Sequence, residues 1–287
     1  MKKVLVLCLT CLLFLCGCLK RDTMEDITIY TSYYPLEYIT NALYGNNSKV
    51  YSIYPDGTNP NDTTLTEKQL SDYSNGSLFI FSGLSNEKNY LYDMLKNNKD
   101  LKIIDSTLSM QTNEEYGNRI EELWLDPNNL LMIARNIKDG LDEYINNYYL
   151  KNEIENNYSN LKIELSQMSA NLHLIAETAD NPTLVVSSDV FKFLENYGFT
   201  IYSLEKSDEK TIKIVSNLMK NKKINYIFLL SSDEETETIK KLNETYGTKL
   251  VIFNSLATIS VDDRNDKKDY LSIMKENINL IKQEVFE

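Results

Sequence analysis

Apolar residues recur at helical spacing through the middle of the chain, from Asp126 to about Thr178. They form two runs separated by a short polar break, and each run places its apolar side chains on one helical face. Their members are Leu130, Ala134, Ile137, Leu141 and Tyr144, then Ile154, Tyr158, Leu161, Leu165, Met168 and Leu172. Asp126 suits the N-cap and Pro127 the first helical position, where a missing N–H does no harm. No proline lies between Pro127 and Pro182, so the second helix can run from Asn152 to Ala176. A helix of that length is roughly 37 Å long, which is enough to join two domains.

Short apolar runs alternate with helical patterns on both sides of this segment. Before it, the pattern predicts strands at Ile27–Ser32, Lys49–Tyr54, Ser77–Gly83 and Leu101–Asp105, with helices at Leu36–Leu43, Thr66–Tyr73 and Glu87–Leu95. After it, strands are predicted at Pro182–Ser187, Thr200–Leu204, Tyr226–Ser231 and Lys249–Phe253, with helices near Val190–Tyr197, Lys210–Lys220, Glu235–Tyr246 and Lys268–Glu284. Such alternation is typical of parallel sheets flanked by helices. The predicted fold class is therefore α/β, with two similar lobes joined by a long rigid interdomain helix.

The first eighteen residues have the pattern of an export signal. Lys2 and Lys3 precede an apolar run, Val4–Leu15, which is too short to span a bilayer comfortably. The run ends in Leu15-Cys16-Gly17-Cys18, which resembles the lipobox of bacterial lipoproteins. That resemblance implies cleavage before Cys18 and a diacylglycerol thioether on its sulfur, with an uncleaved anchor as the alternative. Two or three acyl chains would hold the protein on the extracytoplasmic face of the cell membrane, because one chain alone binds only marginally.

These patterns divide the chain into five segments. They predict a lipoprotein signal peptide at 1–17, a lipidated polar tether at 18–26, an N-terminal α/β lobe at 27–150, a spanning helix at 151–178 and a C-terminal α/β lobe at 179–287. A chain of 287 residues is long enough for both lobes to bury cores of their own.

Charge and cysteine content exclude several classes of function. The chain has 30 basic and 42 acidic residues, and removal of the signal with Lys2 and Lys3 leaves a net charge of about −14, which makes nucleic acid an unsuitable partner. All four cysteines lie within the first eighteen residues, so the mature body has no thiol for a disulfide, a metal or a nucleophile. The sequence also has no nucleophile elbow or phosphate-binding glycine loop. We therefore predict a protein that is not an enzyme.

The predicted topology indicates where a ligand would bind. In open α/β sheets, ligands bind outside the carboxyl ends of the strands. The loops at those ends are Ser32–Pro35, Pro55–Thr64, Ser187–Asp189 and Asn254–Asp263. We expect them to line a cleft between the lobes.

Five segments, in order, resemble the zinc- and manganese-binding branch of ABC-transporter solute-binding lipoproteins. Thr31-Ser-Tyr-Tyr-Pro-Leu-Glu is similar to the family's opening, and Trp124-Leu-Asp-Pro is similar to its Trp-Leu-Asp-Pro run. Pro55-Asp-Gly-Thr-Asn-Pro-Asn-Asp resembles its Pro-Gly-x-Asp-Pro-His-Asp loop, and Ser77–Leu84 resembles its strand ending in Asn-Gly or Ser-Gly. Val185-Val-Ser-Ser-Asp-Val-Phe resembles its Val-Ser-His-Asp-Ala-Phe. The resemblance covers essentially the whole mature chain. It implies a membrane-anchored receptor that delivers one divalent metal ion, zinc or manganese, to an ABC permease.

The resemblance implies four ligand positions, and this chain departs from the family at them. Where the family has histidines and carboxylates, the chain has Asn61, Glu122, Ser188 and Asn254, of which only Glu122 is an anionic ligand. Amide and hydroxyl oxygens are poor zinc ligands, so a strong zinc site is not expected, whereas a hard cation would be held weakly. Nearby carboxylates could add charge if the loops bring them in: Asp56, Asp62, Asp189, Asp262 and Asp263.

Two aromatic residues are candidates for contact with a ligand, His173 and Trp124. The chain's one histidine, His173, falls late in the long helix, where the family places no ligand, so we interpret it as a packed or solvated helix residue. Trp124 is expected to pack at the junction of the lobes rather than to stack on a solute.

Three hypotheses follow. The first is a metal receptor of an ABC importer; the second keeps the receptor and gives it a small non-metal polar solute, which Asn61, Ser188 and Asn254 would hydrogen-bond. The third is a degenerate surface adhesin without a ligand. The rigid helix predicts that ligand capture proceeds by small lobe tilts and loop ordering rather than by wide closure.

Overall fold

The computed structural model describes residues 22–110 and 120–286. The predicted signal peptide and Cys18 lie outside the described residues. Among the described helices, none combines the length and the apolar character that a bilayer crossing needs.

The N-terminal lobe is built on a four-stranded parallel sheet. Its strands are β1 (Ile27–Thr31), β2 (Ser48–Ser52), β3 (Leu78–Phe81) and β4 (Lys102–Asp105), in the spatial order β2-β1-β3-β4. Helices α1 (Tyr34–Tyr44), α2 (Glu67–Tyr73) and α3 (Lys88–Asn97) connect them. All four side chains of β3 are buried, as expected for a central parallel strand covered on both faces.

Two long helices follow. Helix α4 (Pro127–Tyr144) begins with the predicted cap, because the Asp126 side chain accepts a hydrogen bond from the Asn128 N–H. Helix α5 (Tyr148–Thr178) has 31 residues and is about 46 Å long. It extends beyond the predicted helix Asn152–Ala176 at both ends. It begins four residues earlier than expected because the Asn147 side chain caps it, accepting from the N–H groups of Tyr149 and Leu150.

The C-terminal lobe repeats the topology of the first. Strands β5 (Thr183–Val186), β6 (Thr200–Ser203), β7 (Tyr226–Leu230) and β8 (Lys249–Phe253) form a parallel sheet in the order β6-β5-β7-β8. Its helices are α6 (Glu209–Lys220), α7 (Glu237–Tyr246), α8 (Val261–Asn265) and α9 (Tyr270–Phe286). The predicted α/β fold with two similar lobes and a long interdomain helix is confirmed.

One predicted helix has a different form. Asp189–Tyr197 is a 3₁₀ helix. Its buried residues Phe191, Leu194 and Tyr197 recur at a spacing of three, which aligns them along one side of a helix with three residues per turn.

Two predicted loops contain short helices. Pro60–Asp62 forms a single 3₁₀ turn capped by Asn59, and α8 lies within the loop after β8, where Ser260 caps it by accepting from the Asp263 N–H. Both loops stand at the carboxyl ends of strands, so the turns give them fixed backbone positions near the lobe junction.

An apolar core joins the two lobes through the long helices. One buried cluster runs from the N-terminal sheet through α4 and α5 to one face of the C-terminal sheet. A smaller cluster, including Val185, Val215 and Ile227, packs on the other face of the C-terminal sheet. Because the core is shared, the carboxyl ends of both sheets are held facing one another.

Candidate functional site: an interlobe cavity

A cavity of about 240 Å³ lies between the lobes, at the carboxyl ends of β2, β7 and β8. Its lining is polar and rich in hydroxyl groups, and it consists of Gly57, Thr58, Asn59, Pro60, Ser231, Ser232, Asn254, Ser255, Ala257, Thr258 and Ser260. The described residues of this lining carry no charge. The cavity therefore offers hydrogen-bond donors and acceptors, and none of its lining side chains is charged.

Hydrogen bonds fix the C-terminal side of the cavity. The Ser231 hydroxyl accepts a bond from the Ser255 N–H at 2.8 Å, which ties the ends of β7 and β8 together. The Asn277 side chain bonds both the N–H and the carbonyl of Asn254, each at 2.9 Å. Leu256, buried and at φ 59°, adopts a left-handed backbone that is uncommon for a leucine. The Asn254 side chain stabilises it by accepting from the Leu256 N–H at 2.9 Å.

The N-terminal side of the cavity is the loop after β2. Gly57, at φ 75°, donates its N–H to the Ile259 carbonyl at 2.8 Å. The Thr258 hydroxyl donates to the Thr58 carbonyl at 2.7 Å. These bonds cross from one lobe to the other directly at the edge of the cavity.

Glu122 adjoins the cavity from the segment that precedes α4. Its side chain is buried, at 6% exposure, and Oε1 accepts a hydrogen bond of 2.7 Å from the Ser232 hydroxyl. Ser232 itself lines the cavity, so a solute that displaced this hydroxyl would meet a carboxylate.

Trp124 lies at the junction of the lobes, as predicted. Its indole N–H donates to the Ser255 carbonyl at 2.7 Å, and its own carbonyl accepts from the Tyr270 hydroxyl at 2.5 Å. Its ring packs against Tyr33, with 5.0 Å between centroids. Trp124 thus links the start of α1, the loop after β8 and α9. It is 3% exposed, so it has no exposed face on which a solute could stack.

An arginine of the C-terminal lobe forms ion pairs with two carboxylates of the N-terminal lobe. Arg264 of α8 contacts Glu37 of α1 at 2.9 Å and Asp56 of the β2 loop at 2.5 Å, with a second N–H···O bond to each carboxylate. The guanidinium also lies 5.7 Å from the ring centroid of Tyr34. We name Arg264, Glu37 and Asp56 the interlobe ion cluster.

A second polar link joins α4 to the C-terminal lobe. The Tyr197 hydroxyl donates to Asp126 at 2.5 Å and accepts from the Asn128 side chain at 3.0 Å. Burial raises the pKa of Asp126 above its ordinary value, and the hydrogen bond from Tyr197 opposes that change. His173 is exposed and packs its ring 4.7 Å from that of Tyr197, away from the residues that line the cavity.

The four sequence-predicted ligand positions do not come together. Asn254 lines the cavity and Glu122 adjoins it through Ser232. Asn61 is exposed in the turn beside the cavity-lining Pro60. Ser188 is buried elsewhere: its hydroxyl caps the 3₁₀ helix at the Val190 N–H and lies 3.1 Å from Glu205. Ser188 is therefore engaged in a helix cap and a carboxylate contact, and it is absent from the residues that line the cavity.

The nearby aspartates are absent from the residues that line the cavity. Asp56 pairs with Arg264, Asp62 accepts from the Asn59 side chain at 2.8 Å, and Asp189 pairs with Lys192 at 3.1 Å. Asp263 accepts from Ser260 and pairs with Lys268, whereas Asp262 is exposed. Among the residues that the structure describes, no group of three or more His, Cys, Asp or Glu side chains could hold a metal ion.

The sequence does not single out several residues of the site, although Ser255 and Thr258 lie in a loop that it predicts to line the cleft. Ser232, Ser255 and Thr258 are hydroxyl residues in loops, and their type alone carries no signal. Arg264 forms ion pairs with a residue 208 positions away. The one usable indication was their place after β7 and β8, where ligand-binding loops are expected.

Two α/β lobes joined by a long helix, with a cavity where both sheets end, define a two-lobed binding protein. The chain belongs to the ZnuA family, because residues 29–284 match the family model described as zinc-uptake complex component A, periplasmic. The family resemblance predicted from the ordered motifs is thereby confirmed.

Relatives and solved structures agree with this assignment. The chain is 26% identical to the metal ABC transporter substrate-binding lipoprotein SloC of Streptococcus mutans, over 98% of both proteins. It is 23% identical to the zinc-binding lipoprotein AdcA of Streptococcus pneumoniae. That match covers 99% of this chain but only 61% of the length of AdcA. The Zn(II)-bound ZnuA-like domain of that AdcA has the same fold, with a TM-score of 0.73 at 20% identity, covering 91% of this chain and all of that domain. The metal-dependent lipoprotein YcdH of Bacillus subtilis superposes with a TM-score of 0.75 at 16% identity, over 91% of this chain and all of YcdH.

Proposed function

We propose that this protein is the extracytoplasmic solute-binding lipoprotein of an ABC importer of the divalent metal uptake type. Membership of the ZnuA family supports the transport role, and relatives named as metal-binding lipoproteins support the class of cargo. The observation that carries the proposal is the interlobe cavity, which stands where both parallel sheets end and has the buried Glu122 beside it. The role is that of a receptor, and it requires no catalytic group.

The lipid anchor completes this proposal. Cys18 in its lipobox is the residue to be acylated, which would retain the receptor at the outer face of the cell membrane beside its permease. A receptor held there presents its cargo at a high local concentration.

The chemistry of the cavity restricts the metal. Glu122 is the best single candidate for a ligand, with Asn254 and Ser232 as neutral oxygen donors next to it. Zinc is usually held by imidazole, thiolate or several carboxylates, which this set does not supply. An oxygen-rich set with one carboxylate suits a harder divalent cation, bound weakly and still partly hydrated.

A small polar organic solute is the second candidate, and one observation favours it. The uncharged lining of hydroxyl, amide and backbone groups, around 240 Å³, offers both hydrogen-bond donors and acceptors to a small polar solute. If that solute carried a cationic group, the Glu122 carboxylate would be a nearby negative charge, because Glu122 contacts Ser232, which lines the cavity.

Elemental analysis of the soluble form that begins at Leu19 tests the metal. The protein is dialysed against zinc, manganese and calcium in turn, together with Glu122→Gln and Asn254→Ala variants. Asn61→Ala is the matched control, because the resemblance assigns Asn61 as a ligand while its side chain is exposed outside the cavity. About one equivalent of a metal, lost in the two cavity variants and kept in the control, is the expected result.

Each other result points to a defined alternative. Loss of metal in Asn61→Ala would mean that the β2 loop rearranges to bind. Absence of bound metal in every dialysis would contradict the metal hypothesis. Thermal stabilisation by an organic solute would then support the second candidate, because a ligand that binds only the folded state raises its stability. Neither effect is expected of an adhesin without a ligand.

A further inference from the structure

The part of the predicted tether that the structure describes is packed against the protein body. Asp22 accepts hydrogen bonds from the backbone N–H groups of Asn146 at 2.7 Å and Asn147 at 2.5 Å, at the junction of α4 and α5. The Asn147 side chain donates to Glu25 at 2.5 Å, and Met24 is fully buried. Asp22 is therefore held at a fixed point on the protein body.

Two exposed aromatic residues stand beside this point. Tyr148 and Tyr149 are the first two residues of α5 and directly follow Asn147, and their side chains are 70% and 82% exposed. Their rings contact each other edge to face, with 6.0 Å between centroids. Tyrosine combines an apolar ring with a polar hydroxyl, which makes it suited to the interface between lipid and water.

The residue predicted to carry the lipid precedes Asp22 by only four positions. Cys18 lies four residues before Asp22, and four extended residues reach at most about 14 Å. Two of the intervening residues are Lys20 and Arg21, basic residues in an acidic protein, and basic residues next to a lipid anchor are attracted to anionic headgroups. Of the three acids in the packed segment, Asp22 and Glu25 accept hydrogen bonds from Asn146 and Asn147 of the body, whereas Asp26 is exposed.

The same end of the molecule is remote from the cavity. Strand β1 starts here, since the Asp26 N–H bonds the Asn47 carbonyl at 2.8 Å, and it runs toward the loops that meet the other lobe. Five residues of strand span about 16 Å. A protein held at this end would keep its interlobe cavity clear of the lipid surface.

We propose that residues 22–26, Gly45–Asn47 and Tyr148–Tyr149 form a membrane-seating face, which rests on an anionic phospholipid bilayer with Tyr148 and Tyr149 in the headgroup layer. The proposal rests on the lipoprotein assignment and goes beyond it: the lipid does not merely tether the receptor but sets its orientation. Helix α5 then rises from the membrane surface and carries the C-terminal lobe away from it.

Fluorescence quenching tests the seating face. Full-length lipidated protein, carrying Tyr148→Trp or Tyr149→Trp, is reconstituted into phosphatidylglycerol-containing vesicles with lipids brominated near the headgroup. Tyr92→Trp is the matched control, because Tyr92 is 74% exposed on α3, outside the seating face. The parent protein has one tryptophan, Trp124, which is 3% exposed and supplies the background. We expect several-fold stronger quenching for Y148W and Y149W than for Y92W.

Two readouts separate the possible failures. Equal quenching of Y148W, Y149W and Y92W in protein that sediments with the vesicles would overturn the seating face and leave the lipoprotein assignment intact. Absence of vesicle binding, together with an unmodified Cys18 peptide by mass spectrometry, would overturn the lipoprotein assignment and the seating face with it.

Discussion

At the scale of single residues, the interlobe ion cluster combines bidentate contacts between a guanidinium and two carboxylates with partial burial of all three side chains. Arg264 makes two N–H···O contacts to each of two carboxylates, and Glu37 is only 7% exposed. Bidentate, charge-assisted bonds are stronger than neutral ones. Because Glu37 and Asp56 belong to the N-terminal lobe and Arg264 to the C-terminal lobe, the cluster opposes separation of the lobes.

We expect Arg264→Gln to lower the free energy of unfolding by about 1–3 kcal/mol, between the values for exposed and buried ion pairs. The reason is that the buried Glu37 carboxylate loses its cationic partner and, among the described residues, keeps only the hydrogen bond from the Ser52 N–H. The variant should also release cargo faster, since the loops at the cavity edge lose a link. Urea unfolding and stopped-flow release measure the two effects. Arg135→Gln is the control, because Arg135 forms an exposed pair with Asp139 within α4. Equal losses in both variants would assign no special role to the cluster.

Asp263 gives the α8 loop a dependence on pH. A hydrogen bond of 2.6 Å from Ser260 lowers the pKa of Asp263 below its ordinary value of 3.8; slight burial opposes this, and Lys268 adds to it. The unfolded chain therefore takes up this proton at a higher pH than the folded protein. The resulting stability is complete above the ordinary pKa and is lost as the pH falls through the lower, folded value.

The expected outcome is that Asp263→Asn is less stable than the parent at pH 7, and that the difference shrinks below about pH 4 as Asp263 becomes protonated. Urea unfolding of both proteins between pH 3 and pH 7 measures this. A difference that stays constant over the whole range would show that the carboxylate's charge contributes nothing.

At the scale of elements, hydrophobic periodicity predicted the sheets well and the helix ends less well. The strand β8 was predicted with the observed bounds, because a continuous apolar run between polar residues has few alternatives. Helix α5 was predicted to begin at Asn152, since Tyr148 and Tyr149 are exposed and break the apolar pattern. Its start depends on a side-chain cap, and capping is a local contact that periodicity does not record.

Asn147 is the residue that fixes this start. It caps α5 through the Tyr149 and Leu150 N–H groups and also bonds Glu25. We expect Asn147→Ala to lower the unfolding free energy by about 1 kcal/mol, the usual value for a lost N-cap. Asn152→Ala is the control: Asn152 is exposed within α5, so alanine should be neutral or slightly stabilising there. Thermal unfolding of the two variants compares them, and a larger loss in Asn152→Ala would contradict the assigned cap.

At the scale of the whole molecule, the lobes and the position of the cavity could be predicted from the sequence, whereas the content of the cavity could not. The alternation of strands and helices predicts parallel sheets, and the loops at the carboxyl ends of such strands are expected to meet at the junction. Which side chains of a loop point inward depends on competing local bonds. Ser188 caps a helix, and Asp56 pairs with an arginine from the other lobe. Long-range pairings of this kind are not encoded in any short motif.

Interlobe bonds also determine how the molecule can move. The lobes share an apolar core and the helix α5, and backbone bonds such as Gly57 N–H to Ile259 carbonyl and Tyr34 N–H to Ala257 carbonyl cross the junction at 2.8 and 3.2 Å. Wide opening would break all of these at once. Capture of cargo should therefore order the loops at the cavity and leave α5 unchanged.

Amide hydrogen exchange distinguishes local ordering from wide opening. With saturating cargo, we expect slower exchange in 57–60 and 254–265, the loops that meet at the junction, and no change along α5. Local opening has a lower free energy than global unfolding, so protection can change in these loops alone. Faster exchange throughout α5 and the shared core without cargo would instead require the lobes to separate, which contradicts a rigid spanning helix. Because Arg264→Gln removes a junction link, the same loops should exchange faster in that variant even without cargo.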